Sequence, residues 1–496
     1  MNLMYHSTRN SSLKATASQA ILQGLASDGG LYVPEAIPQM TTPIAELARM
    51  NYLELAYEVL RLYLTDYSEE EIKGCINKAY DDKFDTPDIA PLKKVGGLHY
   101  LELFHGATIA FKDMALSILP HLLTTAARKN NISDEIVILT ATSGDTGKAA
   151  LAGFADVEGT RIIVFYPKDG VSSVQEKQMI TQKGDNTYVI GIRGNFDDAQ
   201  TGVKKIFGDR DLEKRMSEAG YRFSSANSIN IGRLLPQIIY YIYSYLELYR
   251  RNEILAEEKI NFVVPTGNFG NILAAYYAKQ MGLPIEKLIC ASNDNKVLFD
   301  FFKTGVYDRN REFILTISPS MDILISSNLE RLIYHIADED SDKTMELMTA
   351  LSTTGRYEIT SDMRKKLDGF VGGYATVDET MTAIHKVYIE TGYVMDTHTA
   401  VAASVYAKYL DREKDSAKAI IVSTASPYKF AESVLNAVGI KELPEDDYEQ
   451  ALILREISGI QIPGAMEEIH LADIKHDTVC ETDRMRAKVE DILKII

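Results

Sequence analysis

Residues 261–271 read NFVVPTGNFGN and are followed by the helical pattern ILAAYYAKQMG. An apolar, β-branched run that enters a glycine-rich turn and then a helix is typical of one strand–loop–helix unit of a parallel sheet. The glycines let successive N–H groups converge, and the helix adds its positive end, so this loop can hold a phosphate without a lysine. An ordinary strand-to-helix turn explains the segment equally well when it is considered alone.

The same alternation of short apolar runs and helical segments extends from about residue 97 to about residue 295. It predicts βαβ units and a parallel sheet, whose loops at the carboxyl ends of the strands are where open α/β sheets bind ligands. Residues 1 to about 90 are predicted to be mostly helical, and residues from about 296 to about 410 to form a largely helical insertion. The candidate strands are residues 135–140, 161–166, 187–192, 261–264, 287–291 and 417–422.

A second strand-to-helix loop, residues 142–148, reads TSGDTGK. The nucleotide-binding template GxxxxGK[ST] requires glycine at Thr142 and a hydroxyl residue at Ala149, so an ATPase is rejected. Hydroxyl and N–H groups at the start of a helix instead suit a substrate carboxylate, which makes Thr142, Ser143, Asp145 and Thr146 candidate ligands. Helix capping by Ser143 or Asp145 is the alternative that needs no ligand.

Lys112 lies in residues 105–113, HGATIAFKD, between a short candidate strand and a helical run. One lysine near a helix start is usually solvated surface, but this one has an aromatic neighbour, a nearby acid and two anion-type loops in the same α/β body. A lysine buried in such a pocket loses affinity for its proton and becomes a nucleophilic amine. His105, which titrates near neutrality, is predicted to shape this pocket rather than to act as the acid or base.

Residues 421–430, IVSTASPYKF, again run from a strand to a loop and a helix. Ser423 and Thr424 would lie at the strand end, where a neutral hydroxyl could bond a heterocyclic nitrogen or cap the helix.

Composition narrows the class of protein. The formal net charge of −17 over 496 residues repels polyanions, so nucleic acid is not an expected partner. The three cysteines are far apart and form no CxxC pair, which argues against a zinc site or a disulfide framework and favours a reducing cytoplasm. No signal peptide and no long uncharged apolar run is evident, so neither export nor a membrane span is expected.

Taken together, these segments resemble threonine synthases, which are fold-type II pyridoxal-phosphate enzymes of the tryptophan synthase β superfamily. The resemblance implies an α/β fold with two open, twisted, mostly parallel sheets flanked by helices. We expect a mainly helical N-terminal segment (1–95), a smaller α/β domain (96–225) and a larger α/β domain (226–496). The segments that carry the resemblance are residues 7–9 (STR), 24–34 (GLASDGGLYVP), 102–113 (ELFHGATIAFKD), 143–147 (SGDTG), 227–233 (NSINIGR), 266–271 (TGNFGN), 319–331 (PSMDILISSNLER), 396–401 (DTHTAV) and 423–430 (STASPYKF).

The resemblance further implies conversion of O-phospho-L-homoserine and water into L-threonine and inorganic phosphate with pyridoxal 5'-phosphate (PLP) as the cofactor and no metal. Lys112 would hold PLP as a Schiff base and then shuttle protons among the substrate carbons. Thr424 would face the pyridine nitrogen. The cofactor phosphate would be held by Gly267, Asn268, Phe269, Gly270 and Asn271. The substrate carboxylate or the cofactor O3′ region would meet Ser143, Asp145 and Thr146 beside Thr142, and the substrate phosphate would meet Ser228, Asn230 and Arg233.

The chain departs from the family pattern at Asn10, Ala107, Ser426 and Thr397, where glycine, proline, histidine and proline are usual. None of these is a proposed ligand, although Ser426 lies close to the expected pyridine contact. One rival hypothesis is a phospholyase of the same fold that releases 2-oxobutyrate, and a second is an inactive binding or regulatory protein. A cytoplasmic monomer or homodimer that binds the small-molecule substrate O-phosphohomoserine is expected.

Overall fold

The computed structural model describes residues 2–142, 144–171 and 173–495. Its strands in chain order are β1 Tyr5–Ser7, β2 Asn10–Ala15, β3 Tyr32–Pro34, β4 Leu92–Val95, β5 Leu98–Glu102, β6 Glu135–Ala141, β7 Thr160–Pro167, β8 Thr187–Arg193, β9 Tyr221–Ser224, β10 Ile260–Pro265, β11 Ile285–Ser292, β12 Val306–Asp308, β13 Arg356–Glu358, β14 Phe370–Tyr374, β15 Ala419–Ser423 and β16 Val479–Glu481.

The α-helices lie between these strands and after them. They are α1 Ala17–Gln23, α2 Ile44–Leu47, α3 Tyr52–Tyr63, α4 Glu69–Ala79, α5 Asp113–Leu116, α6 Leu119–Lys129, α7 Asp145–Phe154, α8 Ser173–Ile180, α9 Phe196–Phe207, α10 Arg210–Glu218, α11 Ile231–Arg250, α12 Gly270–Gln280, α13 Val297–Thr304, α14 Leu329–Ile336, α15 Ser341–Thr354, α16 Ser361–Lys365, α17 Val377–Thr391, α18 Thr397–Glu413, α19 Ala431–Val438, α20 Asp447–Ser458, α21 Gly464–Leu471 and α22 Met485–Leu493. Short 3₁₀ helices span Pro319–Met321, Pro427–Phe430 and Thr482–Arg484.

Two large sheets form the body of the molecule. The larger has the strand order β14-β11-β10-β15-β5-β4 and is parallel except for the edge pair β4 and β5. The smaller has the order β16-β8-β7-β6-β9 and is parallel throughout. Every residue of β10 is buried, as expected for a central parallel strand covered by helices on both faces. The predicted α/β fold with two mostly parallel sheets is therefore confirmed.

The predicted strands correspond to β6, β7, β8, β10, β11 and β15. The N-terminal region contains helices α1 to α4, which make up less than half of its residues, together with a small antiparallel sheet of order β2-β1-β3, so it is less helical than predicted. The helical insertion contains the antiparallel pair β12 and β13 and the edge strand β14, which the sequence interpretation missed. The sequence of β14, FVGGY, is rich in glycine because α13 packs closely on Gly372 and α18 packs closely on Gly373. A Cβ at Gly373 would lie 2.4 Å from Cγ1 of Val405.

The predicted domain boundaries stay a proposal, and strand pairing departs from them in three places. Strand β4 falls in the predicted N-terminal segment but pairs with β5 of the larger sheet. Strand β5 falls in the predicted smaller domain but pairs with β15 of the larger sheet. Strand β16 falls in the predicted larger domain but pairs with β8 of the smaller sheet. The chain therefore crosses between the two sheets more often than a simple division into consecutive domains allows.

The tyrosine-rich helix α11 is buried along most of its length and packs against α3, α5 and α12. It begins immediately after residues 227–230, one of the predicted anion-binding segments. A buried helix fixes the position of this segment against the body of the molecule. Within the described ranges, no helix has the length and apolar composition to cross a membrane.

Candidate active site

Lys112 is positioned by a short strand-like contact between the segment after β5 and the loop after β15. Ala110 pairs with Ala425 in an antiparallel bridge, and the backbone N–H of Phe111 donates to the carbonyl of Thr424 at 2.8 Å. Lys112 follows at once and precedes α5. The lysine is thus attached to the carboxyl-terminal edge of the larger sheet, where ligand sites of open α/β sheets occur.

The ammonium group of Lys112 is largely enclosed, with a side-chain exposure of 11%. Its Nζ lies 3.3 Å from Oδ2 of Asp145 and 3.2 Å from Oγ of Ser320. Burial lowers the pKa of Lys112, and the nearby cations Lys429 and Arg233 lower it further against the opposing effect of Asp145. A buried lysine with a depressed pKa is a competent nucleophile and proton carrier.

Asp145 stands at the start of α7, at the carboxyl end of the smaller sheet. Oδ2 accepts a hydrogen bond from Ser320 Oγ at 2.8 Å, whereas Oδ1 accepts one from Gln175 Nε2 at 3.0 Å and lies 3.1 Å from Lys429 Nζ. Burial opposes the charge on Asp145, but Lys429 and Lys112 outweigh it and hold its pKa well below the usual value. The predicted role of Asp145 as a substrate or cofactor ligand stays a prediction, and the sequence did not indicate its contacts with Ser320, Gln175 and Lys429.

The rest of the TSGDTGK loop is shaped by its own hydrogen bonds. The hydroxyl of Thr142 accepts from the N–H groups of Gly144 and Gly147 at 3.0 and 2.9 Å, so it holds the loop closed. Gly144 has φ 133°, and a Cβ there would meet the side chain of Gln175 at 2.4 Å. Thr146 is half-buried in the first turn of α7, and Ser143 lies outside the described residues. Substrate contacts of Thr142, Ser143 and Thr146 stay predictions.

The GNFGN loop between β10 and α12 has the geometry of an anion cradle. Phe269 adopts a left-handed conformation with φ 66°, which turns the chain into α12 at Gly270. Oδ1 of Asn271 accepts from the hydroxyls of Tyr240 and Tyr241 at 2.6 and 2.5 Å. Its Nδ2 is buried, and no described residue accepts a hydrogen bond from it. Such an orphan donor beside a helix N-terminus is what a bound phosphate would satisfy.

The second predicted anion segment, residues 227–233, is tied to the first by Asn328. The Nδ2 group of Asn328 donates to the carbonyl of Asn268 at 3.1 Å and to that of Ser228 at 3.2 Å. Arg331 fixes Asn328 in turn, because its guanidinium donates to Oδ1 of Asn328 at 2.5 Å and to the carbonyl of Ile229 at 2.6 Å. The two loops therefore share one buried support.

Arg233 and Asn230 differ in whether a side-chain hydrogen-bonding atom remains available for a ligand. Burial lowers the pKa of Arg233 to about 10, so it stays cationic at neutral pH, and no described residue accepts from its buried Nε. The amide of Asn230 is already used, since Oδ1 caps α11 at the N–H of Gly232 and Nδ2 donates to the carbonyls of Ile21 and Ser225. The structure thus gives Asn230 a supporting role, and its contact with a substrate phosphate stays a prediction.

Three family models cover most of the chain. Residues 4–80 match the threonine synthase N terminus, residues 91–426 match the pyridoxal-phosphate dependent enzymes, and residues 399–456 match the threonine synthase C-terminal model. Threonine synthase of Saccharomyces cerevisiae is 37% identical over 88% of this chain and 89% of its own length. This chain belongs to the threonine synthase family. Its cofactor is accordingly PLP.

Two other relatives of the threonine synthase family extend the comparison. Threonine synthase-like 1 of Macaca fascicularis is 41% identical over 88% of this chain, which spans 60% of that protein's length. The PLP-bound crystal structure of threonine synthase from Brucella melitensis aligns over 99% of both chains, with a TM-score of 0.87 and 34% sequence identity. The fold agreement extends over the whole chain and includes the N-terminal segment.

The residues of this threonine synthase family member fit PLP. A buried amine with a lowered pKa is present at Lys112, and the GNFGN loop has a buried donor, Nδ2 of Asn271, that a phosphate would satisfy. A Cβ at Gly267 would lie 2.5 Å from the carbonyl oxygen of Ser320, so only glycine fits there. Thr424 is buried at the end of β15. Its contact with the pyridine nitrogen stays a prediction.

Two departures from the family pattern lie in or beside this site. Thr397 donates its hydroxyl to the carbonyl of Ile317 at 2.7 Å, a bond that the usual proline could not make. The hydroxyl of Ser426 accepts from the N–H of Tyr428 at 3.4 Å and caps the 3₁₀ helix Pro427–Phe430. Both residues therefore support segments that carry Ser320 and Lys429.

His398 fixes the turn that presents Ser320. Its Nε2 accepts from the backbone N–H of Ser320 at 3.1 Å, so the proton is on Nδ1, which donates to Asp396 Oδ2 at 2.8 Å. His105 is held instead between Asp85 and Glu102 at 2.6 and 3.2 Å. Burial opposes the charge on His105, but the two carboxylates outweigh it and raise its pKa to about 9. The predicted role of His105 in shaping the lysine pocket stays a prediction.

Proposed function

We propose that this protein converts O-phospho-L-homoserine and water into L-threonine and inorganic phosphate, the last step of threonine biosynthesis. The observation that carries the proposal is the pair of anion-binding loops, GNFGN and residues 227–233, which Asn328 links beside the buried amine of Lys112. One loop suits the phosphate of the cofactor, and the other suits the phosphate of the substrate. A reaction on a phosphorylated amino acid requires both.

Lys112 is the residue to which we assign covalent attachment of PLP. Gly267, Asn268, Phe269, Gly270 and Asn271 would hold the cofactor phosphate. When bound, PLP supplies the electron sink that makes protons on the substrate carbons removable. Thr424, whose hydroxyl cannot keep a ring nitrogen protonated as a carboxylate does, would limit the strength of that sink.

The chain's own groups would then divide the remaining work. The freed amine of Lys112 would carry protons among the α, β and γ carbons of the substrate, because its pKa is lowered toward the working range. Arg233 and Ser228 would bind the substrate phosphate, for which the guanidinium fork is geometrically suited. Asp145 and Ser320 lie around the amine of Lys112 and would limit the access of water to the reacting carbons.

The test is a product assay on O-phospho-L-homoserine with purified protein, in which phosphate, threonine and 2-oxobutyrate are measured together. Equal yields of phosphate and threonine are expected. Phosphate released with 2-oxobutyrate would instead support the phospholyase hypothesis, with which the similarity to the threonine synthase-like 1 proteins is compatible. Lys112→Ala should abolish both turnover and the absorption band of the lysine-bound cofactor. Full activity of this variant would refute the assignment.

We also propose a cytoplasmic location and a monomeric or homodimeric state. The cysteines Cys75, Cys290 and Cys480 are all free and buried, which suits a reducing compartment. Fractionation of the native cell and sedimentation of the purified protein test these two statements. Recovery in an exported fraction would contradict the first, and a stable higher oligomer would contradict the second.

A further inference from the structure

Lys429 is a second lysine of the site. It lies in the segment 423–430, but the sequence motif predicts no role for it. It lies in the 3₁₀ helix Pro427–Phe430 directly after β15, and its side chain is completely buried. Its Nζ lies 3.1 Å from Oδ1 of Asp145 and donates to the carbonyl of Thr108 at 3.0 Å. Asp145 therefore has one ammonium on each carboxylate oxygen, Lys429 on Oδ1 and Lys112 on Oδ2.

The proposed reaction changes the protonation state of Lys112 but not that of Lys429. Attachment of the cofactor joins the nitrogen of Lys112 to the aldehyde carbon with release of one water and transfer of the ammonium proton to solvent. When substrate later displaces Lys112, this amine must take up and release protons. The charge that Lys112 offers Asp145 therefore changes through the reaction, whereas Lys429 has no such task and remains bound in place.

A buried carboxylate without a compensating cation is costly, and removal of one partner of a buried pair typically destabilises a protein strongly because it leaves the other charge unpaired. Burial also opposes the ionised form of Asp145, and Lys429 is the first of the cations that overcome it. Without Lys429, Asp145 would depend on Lys112 alone and would hold that amine in its protonated form.

We propose that Lys429 is a positioning residue that keeps Asp145 ionised and in place while the charge on Lys112 changes. The inference rests on the proposed attachment of PLP to Lys112. Other charged groups near this cluster are Asp113, which accepts from the backbone N–H and hydroxyl of Thr108, and Lys148 and Arg233. Of these described groups, only Lys112 and Lys429 form ion pairs with Asp145.

The first test measures the rate of PLP attachment to the cofactor-free protein as a function of pH, which reports the amine of Lys112 without any substrate. Lys429→Met should move the midpoint upward by about one pH unit or more, because a neighbouring like charge is lost. Lys429→Arg should restore the midpoint toward the wild-type value. Lys148→Met serves as the matched control, since it removes a buried lysine that bonds Gln182 at 2.6 Å rather than Asp145, and it should shift the midpoint much less.

The second test covers the case in which Lys429→Met does not fold. Asp145→Asn removes the charge that Lys429 faces, so the double variant Asp145→Asn/Lys429→Met should regain a cooperative thermal transition. An unshifted midpoint in folded Lys429→Met, or failure of the double variant to recover folding, would overturn the proposal. Failure of the wild-type protein to attach PLP at all would instead refute the assignment of Lys112, so the two outcomes are distinct.

Discussion

Gly267→Ala is the substitution whose effect follows most directly from the geometry of the cofactor loop. The added Cβ would lie 2.5 Å from the carbonyl oxygen of Ser320. Ordinary contact begins at 3.4 Å, so the loop and the turn Pro319–Met321 must separate by about 0.9 Å. Gly267 does not have a positive φ, which means that the penalty is steric and not a backbone preference.

The magnitude follows from the cost of overpacking, which is about 1–3 kcal/mol in a closely packed site. If the loop yields, the separation disturbs both the phosphate cradle and the Ser320 hydroxyl that faces Lys112. Because each 1.4 kcal/mol is about a factor of ten, PLP should bind about 10- to 100-fold more weakly.

The assay is absorbance titration of cofactor-free protein with PLP, combined with denaturant unfolding of the same preparation. Gly74→Ala is the control: this glycine is in α4, and a Cβ there would meet nothing within 4 Å. It should leave PLP affinity unchanged and raise the free energy of unfolding by about 0.5–1 kcal/mol. A Gly267→Ala protein with wild-type PLP affinity and wild-type stability would refute the reasoning.

Three further predictions concern the neighbouring groups. Arg233→Gln should raise KM for O-phosphohomoserine by about 10- to 100-fold in steady-state assays while PLP affinity stays within about twofold. Asn328→Ala should weaken both PLP and inorganic phosphate binding in titrations, because the carbonyls of Asn268 and Ser228 lose a shared donor. Since His105 has a folded pKa of about 9, above its unfolded 6.5, its stabilising charge is complete below about pH 6.5 and lost as pH rises through 9. The unfolding free energies of wild type and His105→Asn should therefore converge by about 3 kcal/mol between pH 6.5 and pH 9, and a difference that does not change with pH would contradict this.

The central strands could be predicted from the sequence because each is an uninterrupted apolar run. Strand β10 is the clearest case, with every residue buried between helices. Strand β14 could not be predicted in this way, because its two glycines allow α13 and α18 to approach closely and weaken the local strand signal. Strand β16 is three residues long, and only its pairing with β8 gives it an extended form.

The site was predictable where a local motif carries the geometry. Asp145 follows a strand and opens a helix, and Gly267 of the GNFGN loop lies where the backbone passes close to the carbonyl oxygen of Ser320, although the left-handed residue of the turn is Phe269. Ser320 is 175 residues from Asp145 in the sequence, and no local motif predicts the contact between them. The burial of Lys429 is indicated by its sequence context, because this lysine lies within PYKF, shortly after a buried strand.

The same contacts bear on how the two sheets are held together. Asp145 comes from the smaller sheet, whereas Lys112 and Lys429 come from segments that follow strands of the larger sheet. The three groups are buried at their meeting point, so separation of the sheets would expose charges that are now paired and would require water to enter between them. If PLP attaches to Lys112 as proposed, the charge on Lys112 would change and Lys429 would be left to hold Asp145. A single buried carboxylate would thereby couple the chemical state of Lys112 to the contact between the two sheets.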